Sequence, residues 1–203
     1  MEKRIYLYTR FERFWHWAQS ILIILLMISG FELHGMFKLS GFYDAFLLHN
    51  YSAFILAGLI MFAIFWHFTT GEWKQYKPTR KKIYAMVCFY TRDIFKGLPH
   101  PVEKTREQKL NPLQRLTYCA LKLFLFPFQL ITGFLYFFYN HLAEMGYKLD
   151  LGLIANLHSF GGYLFVCFLI VHVYLTTTGE TPLGYLKAMI TGYEEVKSHQ
   201  ETV

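Results

Sequence analysis

Residues Leu151–Thr177 read LGLIANLHSFGGYLFVCFLIVHVYLTT, with no Asp, Glu, Lys or Arg among them. A helix needs about 20 apolar residues, at 1.5 Å each, to cross the hydrocarbon core of a bilayer, and this run supplies them. Two histidines interrupt it, His158 and His172, 14 positions apart. At about 100° and 1.5 Å per residue they point within about 40° of each other and lie about 21 Å apart along the axis. An ionisable side chain in lipid is expensive to keep, so each is a functional candidate. The stretch therefore reads as a membrane span that offers two ring nitrogens on one face, at two depths.

Three further runs share this character: Phe14–Leu33, Ala45–Phe68 and Leu113–Tyr139, the last with Lys122 near its start. Backbone polar groups in lipid must be satisfied within the protein, which leaves packed helices as the economical solution. The expected fold is all-α: an integral membrane four-helix bundle forming a single domain over residues 1–203. Its spans are expected at about 14–33, 45–68, 113–139 and 151–177. Composition agrees, since 54% of the chain is hydrophobic and 17% charged, too few charges for an ordinary soluble domain. The first run is too long for a signal-peptide core and is followed by no A-x-A-like cleavage site, so it is read as retained.

The formal charge of +6 raises the possibility of nucleic acid, but its distribution argues for topology instead. Lys3, Arg4, Arg10 and Arg13 precede the first span. Lys74, Lys77, Arg80, Lys81, Lys82, Arg92, Lys96, Lys104, Arg106 and Lys109 lie between the second and third. The other two connections carry only Lys38 and Lys148. Both termini and the middle loop are expected on the cytoplasmic side. Within that loop, residues 79–98 place Ile83, Val87, Tyr90, Ile94 and Leu98 at steps of three and four, the pattern of an amphipathic helix on the membrane surface. A second short surface helix is expected after Pro182. Cys88, Cys119 and Cys167 form no C-x-x-C, hence no zinc knuckle and no covalent haem motif.

Six of the nine histidines fall in or at the ends of spans. On alternating span directions, His16, His67 and His172 lie near the inner ends, and His34, His49 and His158 near the outer ends. His49 and His67, 18 positions apart, also share a helix face, about 27 Å from each other. Opposed imidazoles in an apolar, aromatic slot suit haem, which takes axial histidines. Hard cations want oxygen ligands, which these spans scarcely supply. Gly161 and Gly162, one turn beyond His158, would let a macrocycle approach, and Gly30, Gly58 and Gly133 offer similar openings. Trp15, Trp17, Trp66 and Trp73 read as interfacial anchors.

Arg10-x-x-Arg13-x-x-His16-Trp17 opens the first span, a histidine opens the second, and His158 and His172 are spaced on the fourth. This pattern resembles the prokaryotic membrane di-haem cytochrome b superfamily, which includes the formate dehydrogenase gamma subunit, the nickel-iron hydrogenase b-type cytochrome and the thiosulfate reductase cytochrome b subunit. The first-span motif is most similar to the last of these. The resemblance implies two b-type haems, an outer one held by His49 and His158 and an inner one held by His16 and His172. The chain departs from it in having His67, an alternative inner ligand or a proton group. The resemblance also implies a quinone site beside the inner haem, onto which Asn111 and Gln114 map, next to His172. The same Asn111-Pro112 pair is good helix-capping chemistry by itself.

The implied function is electron transfer in the bacterial cytoplasmic (inner) membrane, between the pool of menaquinone or ubiquinone and a periplasmic iron-sulfur or multihaem subunit of a respiratory oxidoreductase. Membrane lipid is the surrounding partner; nucleic acid is not expected. A stand-alone quinol-oxidising cytochrome would lack the large partner. A proton-coupled transporter using membrane histidines would need polar mid-membrane residues, where this chain has Leu, Ile, Phe and Met. A simple anchor for a peripheral enzyme leaves the histidine pattern without a purpose.

Overall fold

Thr9 and Glu12 start the first long helix by capping each other. The Thr9 N–H donates to Glu12 Oε2 at 2.7 Å, and the Glu12 N–H donates to Thr9 Oγ1 at 3.3 Å. This reciprocal box satisfies two donors that the helix itself cannot. The computed structural model describes residues 2–98, 100–102, 105–106, 108–179, 181 and 183–197. Strand β1 (Glu2–Tyr6) leads to α1 (Arg10–Leu33) and α2 (Phe42–Thr70). Between these helices the buried Glu32 carboxylate accepts from the backbone N–H groups of Leu39, Ser40 and Gly41 at 2.7–2.8 Å and from the Ser40 hydroxyl at 3.1 Å. One side chain thus closes the turn.

After a 3-10 turn at Glu72–Tyr76 come α3 (Ile83–Cys88), a π turn at Phe89–Asp93 and a 3-10 turn at Ile94–Lys96. The third span is α4 (Pro112–Ala120), a π turn at Leu121–Leu125, and α5 (Phe126–Phe137). Pro127 explains the π turn: it has no N–H to give and its ring crowds the carbonyl four residues back, so the preceding turn widens. A short α6 (Tyr139–Glu144) precedes α7 (Leu151–Thr176), whose first turn donates the Leu153 N–H to Asp150 Oδ1 at 3.0 Å. Helix α8 (Gly184–Thr191) ends at Gly192, which has φ +90°, the left-handed conformation that favours glycine at a helix C-terminus.

Among the described residues four helical stretches are long and apolar enough to cross a membrane: Arg10–Leu33, Phe42–Thr70, Pro112–Phe137 and Leu151–Thr176. Most of their apolar surface is exposed, as at Ile21, Met61, Leu123 and Ile170, which is the surface a bilayer covers. The protein is an all-α membrane helical bundle. To it the termini add a small ribbon, β1 paired antiparallel with β2 (Tyr193–Lys197) in the register Glu2↔Lys197 to Tyr6↔Tyr193.

The chain forms two compact units, and the long helices contribute to both. One comprises Met1–Trp17, Trp66–Cys119 and Val171–Val203. Its core is Met86, Phe89 and Tyr90, packed with Ile94, Val102, Leu113 and Leu175. Of the expected apolar face of the 79–98 segment, Tyr90 and Ile94 pack into this core. Met86 and Phe89 turn in, while Val87 and Leu98 are exposed. The π turn at Phe89–Asp93 breaks the regular 3.6-residue repeat on which that expectation rested. Lys104 and Pro182 lie outside the described residues. The other unit comprises Ala18–Phe65 and Ala120–Ile170, with a core of Leu56, Leu121, Phe126 and Phe165.

Candidate functional site

In the unit containing Ala18–Phe65, α2 brings His49 and α7 brings His158 to a ring-centroid distance of 6.1 Å, with the ring planes 79° apart. Hydroxyls hold both rings from outside. Ser29 Oγ lies 3.1 Å from His49 Nδ1, and Thr132 Oγ1 lies 3.1 Å from His158 Nδ1. Two glycines face the same rings: a Cβ on Gly30 would sit 3.2 Å from His49 Cε1, and one on Gly133 would sit 3.0 Å from His158 Cε1. These openings admit imidazoles. Gln129 reaches the site from α5, its Nε2 at 3.2 Å from Nδ1 and 3.3 Å from Nε2 of His158, and its Oε1 lies where a Cβ on Gly161 would be. Nothing lies within 4 Å of a Cβ placed on Gly58 or Gly162. His34 is engaged elsewhere, its Nε2 2.9 Å from the Ser159 hydroxyl.

In the other unit, α1 and α7 bring His16 and His172 to the same 6.1 Å separation, with planes 47° apart. The Tyr118 hydroxyl stands 3.5 Å from His172 Nδ1. His67 is buried on α2 among aromatic rings: Trp15 at 5.1 Å, edge-on, and Tyr76 at 5.3 Å, whose hydroxyl is 3.5 Å from His67 Nε2. Burial, with Glu12, Tyr118 and Glu72 nearby, drives the Tyr76 phenol well above its ordinary range, so it stays protonated as a hydrogen-bonding group. Lys109, 5% exposed, reaches both Glu12 Oε1 at 2.8 Å and Glu72 Oε2 at 3.0 Å. Sequence reasoning missed this triad, although Thr9-x-x-Glu12 signals part of it.

Asn111 and Gln114 form a reciprocal cap at the start of α4. The Gln114 N–H donates to Asn111 Oδ1 at 2.8 Å and the Asn111 N–H donates to Gln114 Oε1 at 3.0 Å. Asn111 is buried and gives its Nδ2 hydrogen to the Tyr90 hydroxyl at 2.9 Å. Trp17, expected as an interfacial anchor, donates its indole N–H to the Met189 carbonyl at 3.0 Å, and Arg13 donates to the Ile190 carbonyl. Both serve carbonyls in the last turn of α8, which that helix cannot satisfy itself. The Arg13-x-x-His16-Trp17 motif thus anchors the helix that carries His16.

The fit to haem can be judged from these distances. Two imidazoles sharing one metal at about 2 Å per nitrogen have centroids about 6 Å apart, and both pairs meet that spacing. Among the described residues no three His, Cys, Asp or Glu side chains gather as a bare metal site would need. The histidines meet in twos, the number of axial protein ligands one haem iron can take.

Apolar spanning helices that present histidines in such pairs define a membrane b-type cytochrome. The chain belongs to the prokaryotic cytochrome b561 family, whose model matches residues 7–192. It is 28% identical over 196 residues to "Putative cytochrome YdhU" of Escherichia coli (strain K12), covering 94% of this chain and 75% of that protein. No solved structure matches it. Family membership makes haem b the cofactor and electron transport in the membrane the activity.

Proposed function

We propose that this chain, working as a single domain, is the di-haem membrane subunit of a respiratory oxidoreductase complex in the bacterial inner membrane. It exchanges electrons between a periplasmic iron-sulfur or multihaem partner and the quinone pool. One observation carries the di-haem reading: two histidine pairs, His49 with His158 and His16 with His172, each have their rings 6.1 Å apart. A single-haem cytochrome needs only one such pair.

Haem b, when bound, supplies reversible one-electron chemistry, and the protein sets ligation, polarity and proton access. His49 and His158 would hold one haem, and His16 and His172 the other. His67 faces Trp15 and Tyr76, which supports a proton-handling role for it in place of ligation. The quinone would be met by His172, Asn111 and Gln114. The cap consumes Asn111 Oδ1 and Gln114 Oε1, so the Gln114 amide nitrogen is the donor that this reading offers to a quinone carbonyl. Asn111 then acts by holding Gln114 in place. Each quinone turnover also moves two protons, and the Glu12–Lys109–Glu72 triad and the buried His67 are ionisable groups at that end of the spans.

The test is a dithionite-reduced minus oxidised spectrum of the purified chain, with haem counted per chain. About two b-type haems are expected. His49→Ala, His158→Ala, His16→Ala and His172→Ala should each remove about one haem, whereas His67→Ala should keep both. One haem in the wild-type protein, or loss of haem from His67→Ala with full retention in His16→Ala, would overturn the assignment.

A further inference from the structure

Ser29 and Thr132 occupy matching positions around the His49–His158 pair. Each is a hydroxyl residue inside a span, each is followed by a glycine, and each hydroxyl lies 3.1 Å from Nδ1 of one histidine. Their own hydrogens are already committed. Ser29 donates to the Leu25 carbonyl at 2.7 Å, and Thr132 donates to the Phe128 carbonyl at 2.8 Å. A hydroxyl has one hydrogen and two lone pairs, so with that hydrogen on its own helix it accepts from the ring. The ring nitrogen facing it must then carry the proton. Gln129 Nε2 lies almost equally far from the two nitrogens of His158, 3.2 and 3.3 Å, so it does not by itself select a tautomer.

We propose that Ser29 and Thr132 are positioning residues that hold His49 and His158 as Nδ1–H tautomers, leaving both Nε2 lone pairs for one haem iron. Gly30 and Gly133 complete the device by letting each imidazole edge lie against the neighbouring helix. Ligating histidines generally donate their second nitrogen to an outer partner that fixes ring orientation. Here the partner is a neutral hydroxyl whose proton is pinned to its own helix. It orients the ring without the added basicity a carboxylate would confer. The inference rests on the reading that His49 and His158 ligate haem.

The experiment uses the full chain in detergent and follows haem transfer to excess apomyoglobin, the midpoint potentials and the low-spin ferric EPR signals. Thr132→Val removes the acceptor but keeps the shape, Ser29→Ala removes the other acceptor, and Thr132→Ser restores a hydroxyl. One haem should leave Thr132→Val and Ser29→Ala about 10- to 100-fold faster than the wild type. That haem's EPR signal and potential should shift, while the second haem, unchanged, reports an intact fold. Thr132→Ser should behave as wild type. Wild-type haem retention and EPR signals in Thr132→Val would overturn the proposal while leaving the ligand reading in place, provided His158→Ala loses a haem. A Thr132→Ser protein as defective as Thr132→Val would make the residue a packing contact and overturn it equally. Full haem retention by His158→Ala would overturn the ligand reading and the inference with it.

Discussion

At the scale of single residues, the histidines were legible because lipid makes each one an expense that needs a purpose. Their outer partners were not legible. A serine or threonine in a span ordinarily bonds back to its own helix, as Ser29 and Thr132 do, and nothing local says that a second helix uses the remaining lone pairs. The repeated hydroxyl-glycine pair, Ser29-Gly30 and Thr132-Gly133, is the signal that could have found them. Gly133→Ala tests the packing side: its Cβ would meet His158 Cε1 at 3.0 Å, tighter than ordinary contact. A cost of about 1–3 kcal/mol in thermal or chemical stability is expected, with displacement of the ring and loss of haem. Lys109→Met should cost about 3 kcal/mol, since Glu12 and Glu72 lose the cation between them; denaturation in detergent would measure it. Tyr90 gives a prediction in pH. Burial pushes its phenol from the ordinary 10.0 up to about 12, despite the favourable bond from Asn111. Below pH 10 both folded and unfolded chains keep this proton, so it adds no pH dependence. Between pH 10 and 12 the unfolded chain releases it first, and stability falls by about 2 kcal/mol. Tyr90→Phe should lack that part of the alkaline loss, which a series of urea midpoints from pH 9 to 12 would reveal.

At the scale of elements, long charge-free runs announced the spans, and helix starts followed capping rules that are local in sequence. What escaped was whatever depends on a distant partner or on a break in period. The paired strands β1 and β2 come from opposite ends of the chain and are five residues each, too short to show an alternation that stands out. The expected apolar face of residues 79–98 divides between core and exposed surface, and the π turn at Phe89–Asp93, which shifts the residues after it, leaves no mark in an apolar period. The role of Trp17 was hidden for a similar reason: a tryptophan at a span end fits an interfacial anchor as well as it fits a donor to the Met189 carbonyl. The two can be separated. Trp17→Phe keeps an aromatic ring at the interface but removes the N–H, stranding a carbonyl of α8. It should lower stability by about 1 kcal/mol and speed proteolysis of the C-terminal segment, with any haem held as proposed by His16 and His172 bound more weakly. A pure anchor would leave the proteolysis rate unchanged.

At the scale of the whole molecule, the arrangement in the membrane follows from parity and charge. Four spans place both termini on the same side, and the pairing of Glu2–Tyr6 with Tyr193–Lys197 requires that independently. Which side is a matter of lysine and arginine. The connections Leu33–Phe42 and Phe137–Leu151 carry Lys38 and Lys148 alone, while the N-terminal segment and the 70–112 loop carry the basic cluster. Short basic segments resist translocation, so the proposed orientation puts the termini and the 70–112 loop in the cytoplasm. Reporter fusions check this directly. A fluorescent protein joined after Val203 should fold and fluoresce, and alkaline phosphatase joined there should be inactive. Phosphatase joined after Gly146, in the connection before α7, should be active. The electron-transfer reading depends on the result. The proposal takes His49 and His158, from span order in the sequence, as the periplasmic ligands near the proposed partner, and His16, His172 and Gln114 as the cytoplasmic groups near the proposed quinone. The opposite fusion pattern would put the His16–His172 pair beside the periplasm, and the proposed direction of contact with partner and quinone would have to be exchanged.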